Sequence, residues 1–462
     1  MSETHEPGLP PVIEATRGPT PQEDQRSADF SPLPAANSSG ARTEVCPPIL
    51  VAAESRSRRG LVSSIWRGLV FAWKYLWGMA LCQSWLGSIG VVGWTYRLAQ
   101  REVLKGWWAA SGFGARGIRF EEFVGGSERL RGHRHWPNWF FAQNAPEVMR
   151  EATVRHAGSR FRLWLRAALH SLWLNLKTGF QAIFNTWVLT MPACLLWLFS
   201  WYDGWNNSFN KGYEQAAVGP ALGFLGVFLF IAAMFYVPLA QARQAATGEW
   251  RSFYQWRLVR GLIKRRWLAC LGLAILYAAV TFPVMILKAA PAFFNRGEKF
   301  AAMAPTDMLK LLNTYFFWAC LVVFPAYVLL RLAAARIYAS ALLDAVQRGA
   351  LDAEDLSPVE REALQRLNLL HVRPEPVRPP LIKILAWAGT RAGRITAGVL
   401  AFFVWFAFVS EIYVSEFFNY HPRIGWLSQP TVQLPWFHYV PGELKKEKAA
   451  NPGTAVEPPP RP

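Results

Sequence analysis

Residues 267–287 read WLACLGLAILYAAVTFPVMIL and contain no charged side chain. A helix needs about 20 predominantly apolar residues to cross the hydrocarbon core of a bilayer, so this stretch is long enough to span. Lys264, Arg265 and Arg266 precede it directly. An apolar run with a basic cluster at one end is typical of a transmembrane helix whose basic end faces the cytoplasm.

Four further stretches share this character, and we predict spans at 183–201, 218–239, 314–330 and 395–413. The chain is 52% hydrophobic and only 17% charged, whereas soluble domains carry about 25% charged residues. This composition excludes a disordered chain, a collagen and a disulfide scaffold. The predicted fold class is all-α, a polytopic transmembrane helical bundle over 183–413 with repeated helical hairpins and amphipathic interfacial helices.

Residues 61–96 form another apolar stretch. It carries Arg67 and Lys74, and basic residues flank it on both sides. Two full spans need more residues than are present. We therefore predict either a short membrane hairpin or a re-entrant segment, with both ends in the cytoplasm.

The distribution of lysine and arginine predicts the topology. Lysine and arginine number 13 in 97–170, 1 in 202–217, 7 in 240–266, 4 in 288–312 and 9 in 334–394. Cytoplasmic loops are enriched in Lys and Arg, so this alternation predicts a cytoplasmic region at 97–182 and a cytoplasmic helical insert at 334–380. Residues 1–60 are predicted to be a disordered cytoplasmic tail, and 414–462 an outward-facing tail.

Several basic segments have an amphipathic pattern. Helices are predicted from about Ser159 and over 256–266 and 381–394. Such helices bind in the headgroup plane of a membrane. The net charge of +18 therefore indicates anionic lipid headgroups and other membrane proteins as partners, rather than nucleic acid. The candidate headgroup or partner contacts are Arg257, Arg260, Lys264, Arg265 and Arg266.

The insert 334–380 contains one clear helix start. Ser357 and Glu360 have the spacing of a capping box, and Pro358 stands at the first helical position. The short helix that follows is predicted to dock on its own membrane domain or on a partner.

Proline recurs in the two central hairpins. Pro192 and Pro283 lie in the outgoing spans, and Pro238 and Pro325 lie in the returning ones. A basic, Ala-rich exit follows each returning proline, which indicates an internal duplication. Broken helices at matching positions often mark a transporter's binding site, so these four residues are candidate hinges. The alternative is that proline is simply frequent in membrane helices.

The loop after the first of the five spans is dense in aromatic and amide side chains. It is predicted to face outward, where it contacts sugars or polar headgroups or forms an ordinary interfacial belt. The candidate contacts are Trp201, Tyr202, Asp203, Trp205, Asn206 and Asn207.

Motifs for chemistry are missing from the sequence. It has no nucleotide-binding glycine loop, no hydrolase or metalloprotease motif and no convincing carboxylate pair near the membrane. We expect no enzyme activity, no catalytic residue, no cofactor and no metal, and we interpret His133 and His135 as part of a solvated loop. Four ionisable residues stand near span ends and are expected to snorkel: Lys74, Lys177, Lys288 and Glu411.

Three features resemble bacterial multi-pass inner-membrane proteins that are defined only by domains of unknown function. They are the run Gly93-Trp94-Thr95-Tyr96-Arg97, the run Trp136-Pro137-Asn138-Trp139-Phe140 and the Pro- and Ala-rich hairpins. Together they cover roughly 61–345. The resemblance implies a bacterial inner membrane location and brings no activity, substrate or catalytic residue.

Two classes of function follow from these observations. The first is a non-enzymatic scaffold or assembly component that uses its basic cytoplasmic loops. The second is a transporter or channel with a site among the proline-kinked hairpins, and an enzyme acting on lipids comes third. The uncharged interiors of the spans favour the scaffold.

Overall fold

The structure is a computed structural model that describes residues 52–125, 130, 160–202, 218–294, 300, 303–372, 379–417 and 422–437. The chain divides into two units, Met1–Ser64 and Ile65–Pro462. The first unit is helical over 52–64, and the second contains the remaining elements.

The described elements are helical, and the described ranges contain no strand, which confirms the predicted all-α class. Short 3₁₀ turns occupy Phe113–Arg116, Trp250–Tyr254 and Ala353–Asp355. In chain order the α-helices are α1 (Ala52–Leu81), α2 (Trp85–Ala110), α3 (Phe120–Gly125), α4 (Arg160–Phe199), α5 (Val218–Met234), α6 (Val237–Thr247), α7 (Trp256–Arg265), α8 (Trp267–Ala289), α9 (Pro291–Phe294), α10 (Pro305–Gln347), α11 (Pro358–Arg366), α12 (Pro380–Phe417) and α13 (Pro422–Leu427).

Several helices are long and apolar enough to cross a membrane, so the chain is a membrane protein. Helices α4, α8, α10 and α12 each meet this requirement, and the pair α5 and α6, which is bent by 40°, meets it when the two are counted as one span. Each of the five corresponds to one of the stretches predicted as spans. The bend lies at residues 235–236, directly before Pro238, which has no N–H to continue the hydrogen-bond ladder of α5.

The long helices extend well beyond the predicted spans. Helix α4 begins at Arg160 and α12 begins at Pro380. The amphipathic segments predicted near Ser159 and at 381–394 therefore continue the spans, because no proline separates them from the apolar residues that follow.

Residues 61–96, predicted as either a short membrane hairpin or a re-entrant segment, form the end of α1, a turn at 82–84 and the first half of α2.

Six helices close into a ring. Helix α2 packs on α4, α4 on α5, α5 on α12, α12 on α8, α8 on α10, and α10 packs on α2 again. Helix α6 contacts α2, α4 and α10. The ring therefore surrounds a central axis. The residues along this axis decide what the protein can do.

Two glycines allow α2 and α4 to cross closely. A Cβ atom at Gly93 would lie 1.8 Å from the carbonyl oxygen of Asn175, and one at Gly179 would lie 1.9 Å from that of Ile89. Both distances are far inside van der Waals contact, so only hydrogen fits at these positions. Small residues at a crossing let two membrane helices approach each other.

The C-terminal part of the described chain fills the ring. After α13, the stretch SQPTVQLP at 428–435 is non-helical, and most of its side chains are buried. Phe437 then packs against Phe316 of α10, with ring centroids 5.7 Å apart. We call residues 428–437 the re-entrant segment. The sequence predicts an outward-facing tail here and no burial, because a polar, proline-containing stretch has no local signal for burial.

Candidate functional site

One end of the axis holds a buried ion pair between Lys288 of α8 and Glu416 of α12. Both side chains are fully buried. Lys288 also donates to the carbonyl oxygen of Ser428 at 3.4 Å and to Oε1 of Gln429 at 3.3 Å, which ties the re-entrant segment to the ring. The expectation that Lys288 snorkels to the interface is therefore wrong, because its partner lies inside the bundle.

Arg331 of α10 lies on the axis and is only 3% exposed. Its Nη1 donates to the hydroxyl of Tyr277 at 2.6 Å, and its Nη2 donates to the carbonyl oxygen of Val432 at 2.5 Å. The guanidinium also lies 4.5 Å from the ring centroid of Tyr327, in cation–π geometry. Tyr277 stands about 15 Å from the start of α8, at 1.5 Å of rise per residue. The Arg331 guanidinium therefore reaches the middle of that span.

Val432 is the point at which side chains of α10 and α6 both contact the re-entrant segment. Its carbonyl oxygen accepts from Arg331 and also from Nε2 of Gln241 in α6, at 3.2 Å. Gln241 donates in turn to the hydroxyl of Thr186 in α4, at 2.8 Å. Non-helical backbone is tolerated at membrane depth only where protein or water satisfies it, and here ring side chains satisfy it.

Two threonines hold the re-entrant segment from corresponding places on α4 and α8. The hydroxyl of Thr190 accepts from Nε2 of Gln433 at 2.6 Å, and the hydroxyls of Thr281 and Thr431 are hydrogen-bonded at 3.1 Å. Each ring threonine stands two positions before a proline, in Thr190-Met191-Pro192 and Thr281-Phe282-Pro283. This repeated Thr-x-Pro pattern supports the internal duplication, and it is the sequence signal that distinguishes these two threonines.

A second buried ion pair joins Arg243 of α6 to Glu360 of α11 at 3.3 Å. Tyr338 of α10 bridges the pair, because Arg243 donates to its hydroxyl at 2.7 Å and that hydroxyl donates to Glu360. Glu360 also accepts from the backbone N–H of Ser357 at 3.0 Å, while its own N–H donates to the Ser357 hydroxyl. The predicted capping box is thus confirmed, and it docks the insert on its own membrane domain.

A third arginine, Arg97 of α2, is 9% exposed. Its Nη1 donates to Oδ1 of Asn175 at 2.6 Å and to the hydroxyl of Ser171 at 3.4 Å, both on α4. No carboxylate of the described residues forms an ion pair with it. Arg97 lines a cavity of about 510 Å³ between α2, α4 and α6.

These three arginines are the basic residues that follow the returning apolar stretches. In the sequence they mark span ends, as cytoplasmic arginines do. In the structure Arg97, Arg243 and Arg331 are buried, because each of their helices continues past the arginine into the bundle. Arg243 and Arg331 also follow Pro238 and Pro325 at nearly the same spacing.

The four candidate hinges occupy different environments. Pro192 and Pro283 lie within α4 and α8 on exposed faces, so they do not touch the axis themselves. Pro238 is buried at the start of α6, next to the 40° bend. Pro325 is half-buried within α10.

The predicted outer-loop cluster is only partly described. Trp201 and Tyr202 directly follow α4, and their rings meet edge to face at 5.8 Å. The remaining positions lie outside the described residues: Asp203, Trp205, Asn206, Asn207, and also His133 and His135.

The five predicted basic contacts lie in α7 and directly after it. All are exposed except Arg265, which is half-buried and donates to the carbonyl oxygen of Asp344 at 3.2 Å. Desolvation by the surrounding protein lowers the pKa of Arg265, and Asp344 counteracts this effect. Arg257 and Arg265 line a second cavity of about 740 Å³ together with Trp256 and Asp355.

Within the described ranges, no group of three or more His, Cys, Asp or Glu residues could hold a metal ion. Cys82, Cys194, Cys270 and Cys320 are free thiols. The polar groups of the axis therefore bind one another and the re-entrant segment.

No family model, no curated protein and no solved structure matches this chain.

Proposed function

We propose that this protein is a multi-pass membrane transporter or channel whose pathway for small anions follows the axis of the six-helix ring. The observation that carries the proposal is that a polar, non-helical segment of the chain occupies this axis. Ionisable groups inside a membrane domain are costly to bury and commonly mark solute pathways. Non-helical segments at membrane depth recur at transporter binding sites.

The charge along the axis favours anions. Lys288 and Glu416 neutralise each other. Arg331 is held by tyrosines and a carbonyl oxygen, and no carboxylate of the described residues forms an ion pair with it. Because the re-entrant segment binds both Lys288 and Arg331, we propose that it closes the pathway and must move to open it.

A disulfide between the ring and the re-entrant segment is expected to abolish conduction. In Thr281→Cys/Thr431→Cys, the thiols replace hydroxyls that are 3.1 Å apart, which is within reach of an S–S bond. The native cysteines of this double variant are replaced by alanine. Proteoliposomes with the oxidised variant should then release chloride at least about tenfold more slowly than those with the reduced variant. Single-cysteine variants should not respond to oxidant.

Two results would contradict the proposal. One is the same anion flux before and after reduction, once mass spectrometry has shown that the cross-link formed. The other is a wild-type protein that conducts no anion in either direction across a potential. The first result would exclude the re-entrant segment as the element that closes the pathway, and the second would return the protein to the scaffold class.

A scaffold is the second candidate, and the first half of α12 supports it. A Cβ atom at Gly393 would lie 3.3 Å from the ring of Trp267, so Gly393 is level with the start of α8. The residues of α12 before Gly393 therefore project about 20 Å past that level. They carry exposed apolar side chains at Leu381, Ile382, Ile384, Leu385 and Trp387. Loss of a co-purifying protein from Leu381→Asn/Leu385→Asn, with anion flux unchanged, would favour the scaffold.

We also propose a non-enzymatic protein of the bacterial inner membrane, with a cytoplasmic N-terminus and an outward C-terminus. The alternation of Lys and Arg along the chain supports this orientation. A cysteine at Lys310 should react with an impermeant thiol reagent in intact cells, and one at Asp352 should react only after permeabilisation. Both positions are exposed, so the opposite labelling pattern would invert the topology.

A further inference from the structure

We propose that the cavity between α2, α4 and α6 binds the phosphate group of an anionic ligand. The cavity measures about 510 Å³, and three cations line it: Arg97, Lys177 and Arg251. Glu249 is the carboxylate among its lining residues. This site is separate from the contacts of the re-entrant segment, and the inference does not depend on whether the ring conducts anions.

Arg97 is the residue that points to an anion. It is nine-tenths buried, and the groups that bind its Nη1 are neutral oxygens of Asn175 and Ser171. A buried charge is costly unless an opposite charge accompanies it. No carboxylate of the described residues, Glu249 included, forms an ion pair with Arg97. Because Arg97 lies on the cavity wall, an anionic ligand in the cavity can supply the opposite charge.

The other two cations are placed around the same space by different elements. Lys177 is exposed on α4. Arg251 lies in the 3₁₀ turn after α6, and its guanidinium stacks 5.4 Å from the ring centroid of Trp250. Trp250 is itself fixed, because its carbonyl oxygen accepts from Nδ2 of Asn185 at 2.7 Å. The turn therefore holds Arg251 opposite α2 and α4.

The combination of groups suits a phosphate better than a carboxylate. Three cations and one carboxylate give the lining a net charge of about +2, which matches a phosphate of up to two negative charges better than a singly charged carboxylate. Planar guanidinium groups also bind phosphate oxygens in a bidentate manner, and a lysine adds a point charge. Thr178 and Gln181 add neutral hydrogen-bonding groups to the wall, and Leu174 adds an apolar surface. A volume of this size accommodates a phosphate together with a glycerol-sized substituent. The ligand class is therefore a glycerol phosphate, either free in solution or as the headgroup of a phospholipid.

The test compares two charge-removing double variants of the full chain in uncharged detergent. Lys177→Gln/Arg251→Gln removes two exposed cations of the cavity. Lys383→Gln/Arg391→Gln removes two exposed cations of α12 that do not line it. Titration calorimetry with glycerol 1-phosphate at constant chloride examines the free solute. Native mass spectrometry with short-chain phosphatidylglycerol, against diacylglycerol, examines the lipid.

The cavity variant is expected to bind at least about tenfold more weakly than wild type, whereas the α12 variant keeps its affinity. Binding in the calorimeter identifies a soluble ligand, and retention of phosphatidylglycerol alone identifies a lipid headgroup. Three results would overturn the proposal: no binding in either experiment, equal losses in both variants, or equal retention of diacylglycerol and phosphatidylglycerol.

Discussion

Replacement of Lys288 by methionine is expected to lower the free energy of unfolding by about 3–5 kcal/mol. Methionine has a similar length, but it removes the cation from a site in which both partners are fully buried. The carboxylate of Glu416 would then lose its lysine, and the carbonyl oxygen of Ser428 would lose a hydrogen-bond donor. Neither side chain has solvent-exposed surface, so removal of the lysine leaves the buried carboxylate without its counter-ion, which is costly.

The chain offers a matched control for this prediction. Lys310 also pairs with a carboxylate, that of Asp307, but its side chain is 80% exposed. Lys310→Met should therefore change stability by less than about 1 kcal/mol. The double variant Lys288→Met/Glu416→Gln should recover most of the loss, because no charge remains buried. Unfolding by SDS titration in mixed micelles measures all three, and equal effects of the two Lys→Met changes would contradict the buried pair.

Gly93→Ala is expected to destabilise the protein by about 3 kcal/mol. The added methyl group would lie 1.8 Å from the carbonyl oxygen of Asn175 and 2.8 Å from the backbone nitrogen of Gly179. Backbone atoms cannot rotate away as a side chain can, so α2 and α4 must move apart. This movement also stretches the hydrogen bond from Arg97 to Asn175.

Gly90→Ala is the control for this crossing, because it makes the same change one turn earlier in α2. A Cβ atom at Gly90 would meet nothing closer than Leu176, at 3.9 Å. Alanine should therefore be neutral or stabilising there by up to about 1 kcal/mol, since it favours the helix. Thermal unfolding in detergent compares the two variants. A Gly93→Ala protein as stable as Gly90→Ala would show that the helices do not cross at Gly93.

The helices were predictable because their signals are local. The apolar run 267–287 needs only its own composition to be recognised, and α8 covers it as Trp267–Ala289. The capping box at Ser357 and Glu360 is equally local, since the two residues are three apart and bind each other. The lengths of α4 and α12 were underestimated, because hydropathy detects the part of a helix that crosses lipid and not its continuation.

The three buried arginines show where a local signal has two meanings. A basic residue at the end of an apolar run marks a span end if the chain then leaves the membrane. The same pattern arises if the helix continues and the arginine turns inward to a partner on another helix. Arg331 is an example of the second case, because α10 continues past it and its side chain turns inward. Its partners Tyr277 and Val432 are distant in sequence. The sequence shows that Thr190 and Thr281 each precede a proline, but it does not show that both bind the re-entrant segment.

The sequence by itself therefore determined the membrane class, the spans and the cap of the insert, because backbone groups in lipid must be satisfied within each helix. Only the tertiary structure decided that residues 428–437 fill the ring and that Lys288 meets Glu416, 128 positions away. A polar side chain inside a membrane domain is stabilised by whichever group the fold brings to it, and that group has no fixed distance along the chain.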